Sequence, residues 1–303
     1  MRFTTIKYLL LFVLVPLCCV SQSKLDSFLT ISDSLHKPRR NAVVIAEASL
    51  AGVALIGLDQ LWYADYERSK FHTINDNSEW LQMDKIGHVF TSYQIGKQGA
   101  QLLNWTGVSK KNQLVYGATL GFGFLTAVEV LDGYSQEWGF SWGDILANAS
   151  GTGLYVGQEL LWEEQRIALK FSFHQTKYAS QRPDKLGGDL LEQVLKDYNG
   201  QTYWLSANLH AFFKEKSIPK WLNIAVGYGA DGMLTGAKDV DNQLLINIDR
   251  YRQFYLSLDV NLTGIETNSK FLRTFLDILN MIKIPFPTLE FNRNGCVFHL
   301  FYY

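Results

Sequence analysis

The hydrophobic period of this 303-residue chain changes near residue 165, from the period of helices to the period of strands. Before that point, apolar runs such as 42–58 have the length and spacing of helices. From Arg166 onward, apolar residues alternate with small or polar ones, as in 167–173. This pattern predicts an α+β protein, with an N-terminal apolar helical bundle over 22–163 and an antiparallel, outer-membrane-like β domain over 164–303.

Charged residues are scarce in this chain. They make up 19% of it, against 47% hydrophobic and 14% aromatic residues. The 28 basic and 29 acidic residues nearly cancel, so there is no basic field for a phosphate backbone and we expect no nucleic-acid partner. An aromatic-rich, charge-poor chain of this length indicates a surface that is partly withdrawn from water.

The first 21 residues have the features of a secretory signal peptide. The basic residues Arg2 and Lys7 precede an apolar run over 8–17, and small residues precede Gln22 at the positions that a cleavage site needs. Neither early cysteine follows a small residue, so cleavage without lipidation is favoured over a lipoprotein anchor. Cleavage would leave Cys296 as the single cysteine and exclude an intramolecular disulfide. We therefore expect an exported protein.

The first half of the mature chain reads as one short and four long helices. Their predicted ranges are 25–32, 42–58, 84–105, 113–131 and 142–162. Pro38 is expected to separate the first two. Glycines four residues apart, at 117 and 121 and again at 153 and 157, would let helix backbones approach closely. The long helices could cross a bilayer or fill a large water-soluble core.

The second half contains short alternating segments. The clear ones are 167–173, 203–211, 224–228, 254–262 and 293–300, and a weaker one is 244–248. Such segments are typical of outer-membrane strands and equally of a sheet with one wet face. Five clear strands are fewer than the roughly eight of a closed barrel, so a transport pore would need strands that the pattern does not reveal.

The chain end favours the outer membrane. An apolar and aromatic ending, Phe301-Tyr302-Tyr303, follows the last alternating segment and resembles the terminal strand by which bacterial outer-membrane proteins are recognised. An amphipathic helix is also predicted over 271–284, where it would lie on a membrane surface or cover a sheet edge. The expected location is the outer membrane or its periplasmic face.

Polar side chains interrupt the apolar helices in a few motifs. Asp84 and His88, like Asp144 and Asn148, lie four residues apart and so share a helical face, and Glu129 lies near the end of its helix. The candidate catalytic and metal residues are Asp84, His88, Glu129 and Asp144. The candidate binding residues are Tyr93, Asp132, Trp142 and Asn148.

Three interpretations of these residues stay open. The first is a structural polar network, in which Asp84 is only a helix cap and Ser141 or Asp144 caps the last helix. The second is a ligand or metal site, since carboxylates and imidazole together hold divalent cations. The third is catalysis, in which neighbouring carboxylates raise each other's pKa and leave His88 and Glu129 for acid–base work.

The same motifs resemble a known family. The segments Asp84-Lys85-Ile86-Gly87-His88, 129–133 and 138–144 resemble the YfiM-like predicted periplasmic lipoproteins, a family of unknown function, over roughly residues 45–165. The alternating second half looks like the longer version found in Bacteroidetes-type bacteria. A weaker likeness to VanZ-like membrane proteins involves the same opening motif. The resemblance implies an envelope protein and supplies no reaction.

The sequence therefore predicts an outer-membrane-associated structural or binding module of the bacterial envelope. Its expected partners are an envelope lipid or the outer membrane itself, and an envelope protein. The alternative is a membrane-proximal hydrolase or transferase that acts on a lipid or cell-wall substrate through its Asp/His/Glu cluster. Whether the protein is an enzyme stays open at this point. A divalent metal is the cofactor that such a cluster would hold.

Overall fold

The computed structural model describes residues 25–63, 66–243 and 248–302. The predicted signal peptide, 1–21, and all but one residue of the weak segment 244–248 lie outside the described residues. Within them the fold is mixed, with a helical first half and an antiparallel sheet in the second half.

Four long helices form the first half. They are α1 (Lys37–Leu58), α2 (Met83–Trp105), α3 (Leu120–Asp132) and α4 (Trp142–Leu161). The predicted starts and ends of α2 and α4 are correct to within one residue. The predicted break at Pro38 is wrong, because α1 already begins at Lys37. A proline in the first turn of a helix costs no hydrogen bond, and the His36 ring accepts one from the Arg39 amide.

The predicted helix 113–131 is divided. A short turn, Lys110–Asn112, continues into a π-helical turn, Gln113–Gly117, before α3 begins. α1 likewise ends in a π-helical turn, Asp59–Tyr63. Of the predicted first helix, 25–32, residues 25–28 are helical. The other short helices are Glu79–Gln82, Pro183–Leu186, Leu190–Lys196, Leu209–Phe213, Lys238–Gln243, Leu262–Gly264 and Lys270–Leu279. The last of these confirms the predicted amphipathic helix but ends five residues earlier.

The second half is one six-stranded antiparallel sheet. A two-stranded parallel pair, β1 (Thr73–Ile74) and β2 (Phe140–Ser141), lies beside the helices. The sheet strands follow one another in sequence order as β3 (Ile167–Phe173), β4 (Gln201–Asn208), β5 (Leu222–Asp231), β6 (Tyr251–Val260), β7 (Phe286–Asn292) and β8 (Gly295–Tyr302). β7 was not predicted, because Pro287 weakens its pattern. The register shifts between Phe286 and Thr288, which accommodates this proline.

The sheet has one buried face, called the inner face here, and one apolar face. The inner face carries Lys170, Ser206 and Asp259 beside the buried rings of Trp204 and Tyr255. Lys170 Nζ lies 2.7 Å from Asp259, and the Ser206 hydroxyl donates to the same carboxylate at 2.6 Å. Lys283, also buried, lies 3.9 Å from Asp259. The opposite, outer face is apolar.

The helices cover only part of the outer face. α2 packs on β3 and β4, where the ring centroid of Phe90 lies 5.7 Å from that of Phe171 and 5.5 Å from that of Tyr203. α2 in turn packs closely against α3 and α4. A Cβ placed on Gly121 would lie 2.2 Å from the Ser92 carbonyl oxygen. Further along α4, a Cβ placed on Gly153 or on Gly157 would have no atom within 4 Å.

Two helical stretches of the described chain are long and apolar enough to cross a membrane. They are Lys37–Leu58 and Lys110–Asp132. In the first, 6% of the apolar window is buried, whereas in the second 33% is buried. The first stretch therefore presents most of its apolar side chains outward.

Candidate functional site

Three helices bring the four candidate catalytic and metal residues to one place. Asp84 and His88 lie in the first two turns of α2, Glu129 lies near the end of α3, and Asp144 lies in the first turn of α4. The close packing of α2 against α4 makes this possible. A Cβ placed on Gly151 would lie 2.1 Å from the carbonyl oxygen of Val89, so only glycine allows this approach.

His88 Nε2 lies at the centre of three carboxylates. Its distances are 3.7 Å to Glu129 Oε1, 3.8 Å to Asp144 Oδ1 and 3.9 Å to Asp84 Oδ1. These separations are too long for direct hydrogen bonds. One ligand atom from each of Asp84, His88 and Asp144 lies within 4.8 Å of the others. Asp84, His88 and Asp144 therefore converge around a common point without bonding one another there, and Glu129 lies beside His88.

Lys85 neutralises part of this charge. Its Nζ lies 2.6 Å from Asp76, 2.8 Å from the Asp144 carboxylate and 3.1 Å from Asp84. It donates a hydrogen bond to Asp144 Oδ2 and also lies 2.8 Å from Oδ1 of the same carboxylate, which is buried and accepts no hydrogen bond. Asp84 also accepts from the Tyr198 hydroxyl at 2.7 Å.

Asn148 orients the His88 ring. Its Oδ1 lies 3.0 Å from His88 Nδ1, one turn along α4 from Asp144. An amide oxygen accepts hydrogen bonds, so Nδ1 carries the proton and Nε2 faces the carboxylates. The Ser92 hydroxyl donates to the Asn148 carbonyl at 2.6 Å and ties α4 to α2 at this level.

Burial raises the pKa of two carboxyl groups in the cluster. The pKa of Glu129 rises to about 9, because Glu129 is desolvated and lies near the charge of Asp144. The pKa of Asp144 rises to about 6, again chiefly through burial. Burial opposes ionisation of Asp84 as well, but the positive charges of His88 and Lys85 outweigh it and hold the pKa of Asp84 below its usual value.

The cluster is mostly enclosed. The side chains of Glu129 and Asp144 are 2% and 4% exposed, whereas those of His88 and Asp84 reach 15% and 26%. Solvent therefore reaches the cluster from the Asp84 side. The cluster is therefore more accessible to solvent than a sealed polar network and less accessible than an open catalytic cleft.

An unusual turn places the start of α2. Trp80, Leu81 and Gln82 all have positive φ, at 45°, 50° and 66°. L-residues adopt this conformation rarely, so surrounding contacts have to maintain it. The Tyr228 hydroxyl donates to the Leu81 carbonyl, and Arg252 donates to the Gln82 side chain at 2.6 Å. The sheet therefore helps to position the helix that carries Asp84 and His88.

Of the residues predicted to cap helices, Ser141 does so and Asp84 does not. Asp84 makes no capping hydrogen bond at the start of α2, and its carboxylate faces Tyr198 and Lys85 instead. Ser141 caps α4, since its hydroxyl oxygen accepts from the Asp144 amide at 3.2 Å. The Ser141 hydroxyl also donates to Asp76 at 2.6 Å.

The candidate binding residues are not all at the cluster. Asn148 is, and Asp132 lies beside it, accepting from the Tyr63 hydroxyl. Tyr93 is buried in the helix core, and its hydroxyl donates to Gln165 and to the Ile167 carbonyl. Trp142 is on the surface, packed edge-on against Phe140.

Sequence reasoning assigned no role to three residues that contact the cluster. They are Lys85, Asp76 and Tyr198. Lys85 was visible as part of the opening motif of α2. Asp76 and Tyr198 come from a loop and from the segment between the strands β3 and β4, and no spacing in the sequence connects either of them to α2.

One comparison with known proteins identifies a similar family. Residues 73–158 match the family described as Predicted periplasmic lipoprotein (DUF2279). The matched segment includes the whole cluster on α2, α3 and α4. It supports a lipoprotein family of unknown function and an exported protein located in the cell envelope. The finer likeness to YfiM-like and VanZ-like proteins stays a prediction. No curated protein and no solved structure matches the chain.

Proposed function

We propose that this envelope protein is an outer-membrane-associated binding or structural module, which contacts lipid through the outer face of its sheet. The observation that supports this most is a row of apolar side chains across five neighbouring strands. The paired residues are Leu205, Val226, Leu256, Leu289 and Phe298. Each is between 36% and 61% exposed.

The row is long enough to form a surface. Neighbouring strands lie about 4.8 Å apart, so five strands span roughly 19 Å. Further apolar side chains flank the row on the same face, among them Ile224, Phe254, Leu258 and Phe291. Monomeric proteins in water rarely expose a contiguous apolar patch of this extent.

The polarity of the sheet is the reverse of that expected in water. A water-facing antiparallel sheet buries its apolar face and exposes its polar one. Here the buried inner face holds the ionic group formed by Lys170, Asp259 and Lys283, and the outer face is apolar. Strands of outer-membrane proteins have the same alternation, apolar toward lipid and polar inside.

The helical half extends the apolar surface. Along α1, Ile45, Leu50 and Val53 are among the most exposed apolar side chains of the described residues. The amphipathic helix Lys270–Leu279 likewise exposes Phe271 and Phe275. A lipid surface is the environment in which all these side chains leave water together.

Membrane association can be tested with one substitution. Val226→Lys places a charge in the middle of the row, which in lipid costs about 2–4 kcal/mol near the bilayer centre. In water the same change at an exposed position costs at most about 0.5 kcal/mol. High-pH extraction of bacterial envelopes should retain the wild-type protein in the membrane pellet and release more of the Val226→Lys variant.

The matched control is Asn268→Lys, which adds the same charge at an exposed loop position outside the outer face. It should fractionate like the wild type. Release of the wild-type protein into the high-pH supernatant would refute membrane association. Equal behaviour of the two lysine variants would show that the outer face does not contact lipid.

A second candidate function is a hydrolase or transferase that acts on a lipid or cell-wall substrate at the membrane surface. It is favoured by the convergence of Asp84, His88, Glu129 and Asp144, which the sequence alone only suggested. If His88 is catalytic, His88→Gln would abolish turnover of envelope lipids or cell-wall fragments by purified protein. The absence of turnover by the wild type across both substrate classes would remove this candidate.

A further inference from the structure

The helical cluster has the geometry of a metal site, independently of how the protein meets the membrane. Ligand atoms that lie about 2.0–2.2 Å from one ion are roughly 3.3–3.6 Å apart at tetrahedral angles and at most about 4.4 Å apart. The three distances from His88 Nε2 to carboxylate oxygens are 3.7, 3.8 and 3.9 Å. They fall below this upper limit, and one ligand atom from each of Asp84, His88 and Asp144 lies within 4.8 Å of the other two.

The orientation of His88 is that of a metal ligand. Because Nδ1 donates to Asn148 Oδ1, Nε2 is the ring nitrogen that faces the three carboxylate groups. A metal ion would take the place of the Nε2 proton that makes His88 positive in the metal-free cluster. A proton on Nε2 would not serve as well, because no carboxylate oxygen is within hydrogen-bond distance. Metal-bound histidines are held by an outer hydrogen bond of the kind that Asn148 makes.

Asp144 contributes a buried ligand atom. Its side chain is 4% exposed, and its Oδ1 accepts no hydrogen bond although Lys85 Nζ lies 2.8 Å away. The same Oδ1 lies 3.8 Å from His88 Nε2. The Lys85 ammonium therefore compensates part of the charge on this oxygen, and a metal ion at the common point would add a second cationic contact.

Lys85 compensates only part of the negative charge of the cluster. Its Nζ contacts Asp76, Asp84 and both carboxylate oxygens of Asp144. Among the described residues no ion pair joins it to Glu129. Glu129 accepts one hydrogen bond from the Ser141 amide through Oε2, which leaves Oε1 directed at His88.

We propose that Asp84, His88 and Asp144 bind a single first-row divalent transition-metal ion, with Asn148 positioning the histidine and Glu129 lying beside it. One imidazole and two carboxylates suit Zn²⁺ or Mn²⁺, whereas Ca²⁺ and Mg²⁺ prefer oxygen ligands alone. The ion would lie between α2 and α4 and reach solvent on the Asp84 side. It would hold together two helices that otherwise bring like charges to one point.

The test uses the full-length purified protein, stripped with a chelator and dialysed against Zn²⁺. The wild type should retain one equivalent of zinc by metal analysis, and His88→Ala should retain none. Asn148→Leu keeps the volume but removes the outer hydrogen bond, and should weaken zinc binding about 10–100-fold. Zinc should also raise the thermal midpoint of the wild type but not of His88→Ala.

The matched control is His299→Ala. His299 is also partly buried and pairs with a carboxylate, Glu290, at 2.8 Å, but it lies on β8 outside the cluster. This variant should bind zinc like the wild type. The proposal is overturned if the wild type retains no zinc, or if His88→Ala and His299→Ala retain equal amounts. If His88→Ala does not fold, the wild-type stoichiometry and the Asn148→Leu affinity decide the question.

Discussion

Replacing Gly151 by alanine tests whether α4 packs closely against α2 at this glycine. A Cβ at this position would lie 2.1 Å from the carbonyl oxygen of Val89 on α2. Ordinary contacts of this kind are about 3.4 Å, so α4 and α2 would have to move apart by roughly 1 Å. Overpacking of this kind costs about 1–3 kcal/mol.

Gly153 lies two residues along the same helix and provides the matched control. Nothing lies within 4 Å of a Cβ placed there. Gly153→Ala should therefore gain about 0.5–1 kcal/mol, because alanine has the higher helix propensity and no clash opposes it. Both substitutions gain the same helix propensity, so the free energies of unfolding of the two variants should differ by the overpacking cost alone, about 1–3 kcal/mol.

The assay is thermal or urea unfolding of both variants and the wild type under one set of detergent conditions. Gly151→Ala should unfold at a lower midpoint than the wild type, and Gly153→Ala at an equal or higher one. If both variants shift in the same direction by the same amount, the close approach of α2 and α4 does not exist as described. The spacing of glycines alone predicts that Gly153→Ala is the destabilising change, since it places the close helix contact of α4 at 153 and 157.

Two further predictions concern stability. Asp259→Asn removes the charge that pairs with the buried Lys170 and Lys283. It should lower the free energy of unfolding, measured by urea titration, by about 3–5 kcal/mol. The control Asp249→Asn, which breaks an exposed pair with Arg293, should change the free energy of unfolding by less than about 1 kcal/mol. Ser141→Ala should cost about 0.5–2 kcal/mol by removing the cap of α4, whereas Ser150→Ala on the exposed side of that helix should be nearly neutral in the same titration. A similar loss in both members of either pair would contradict the assignments.

Much of the secondary structure could be predicted from periodicity. The ends of α2 and α4 and the whole of β3 agree with the pattern, because each has a long, regular period and a clear boundary. The pattern failed where local signals compete with tertiary contacts. Pro38 was taken as a break and Pro287 hid a strand, since a proline near a helix start or beside a register shift is tolerated.

The candidate site could be predicted in part. Helical spacing was enough to put Asp84 beside His88 and Asp144 beside Asn148, because residues four apart share a face. The close approach of α3 to α2 at Gly121 was predicted from the spacing of small residues, whereas the approach of α4 to α2 at Gly151 was not. The contribution of Tyr198, more than a hundred residues away from Asp84, has no signal in the sequence.

The sequence by itself determined the change of period and the alternation of the strands, because these depend only on residues close together in the chain. It could not determine which face of the sheet is enclosed, since an alternating strand has two faces and the same pattern serves both arrangements. The tertiary structure decided this by burying Lys170 and Asp259 and leaving Val226 and Leu256 outward. It decided equally which helices meet, because backbone approach depends on the space at each glycine.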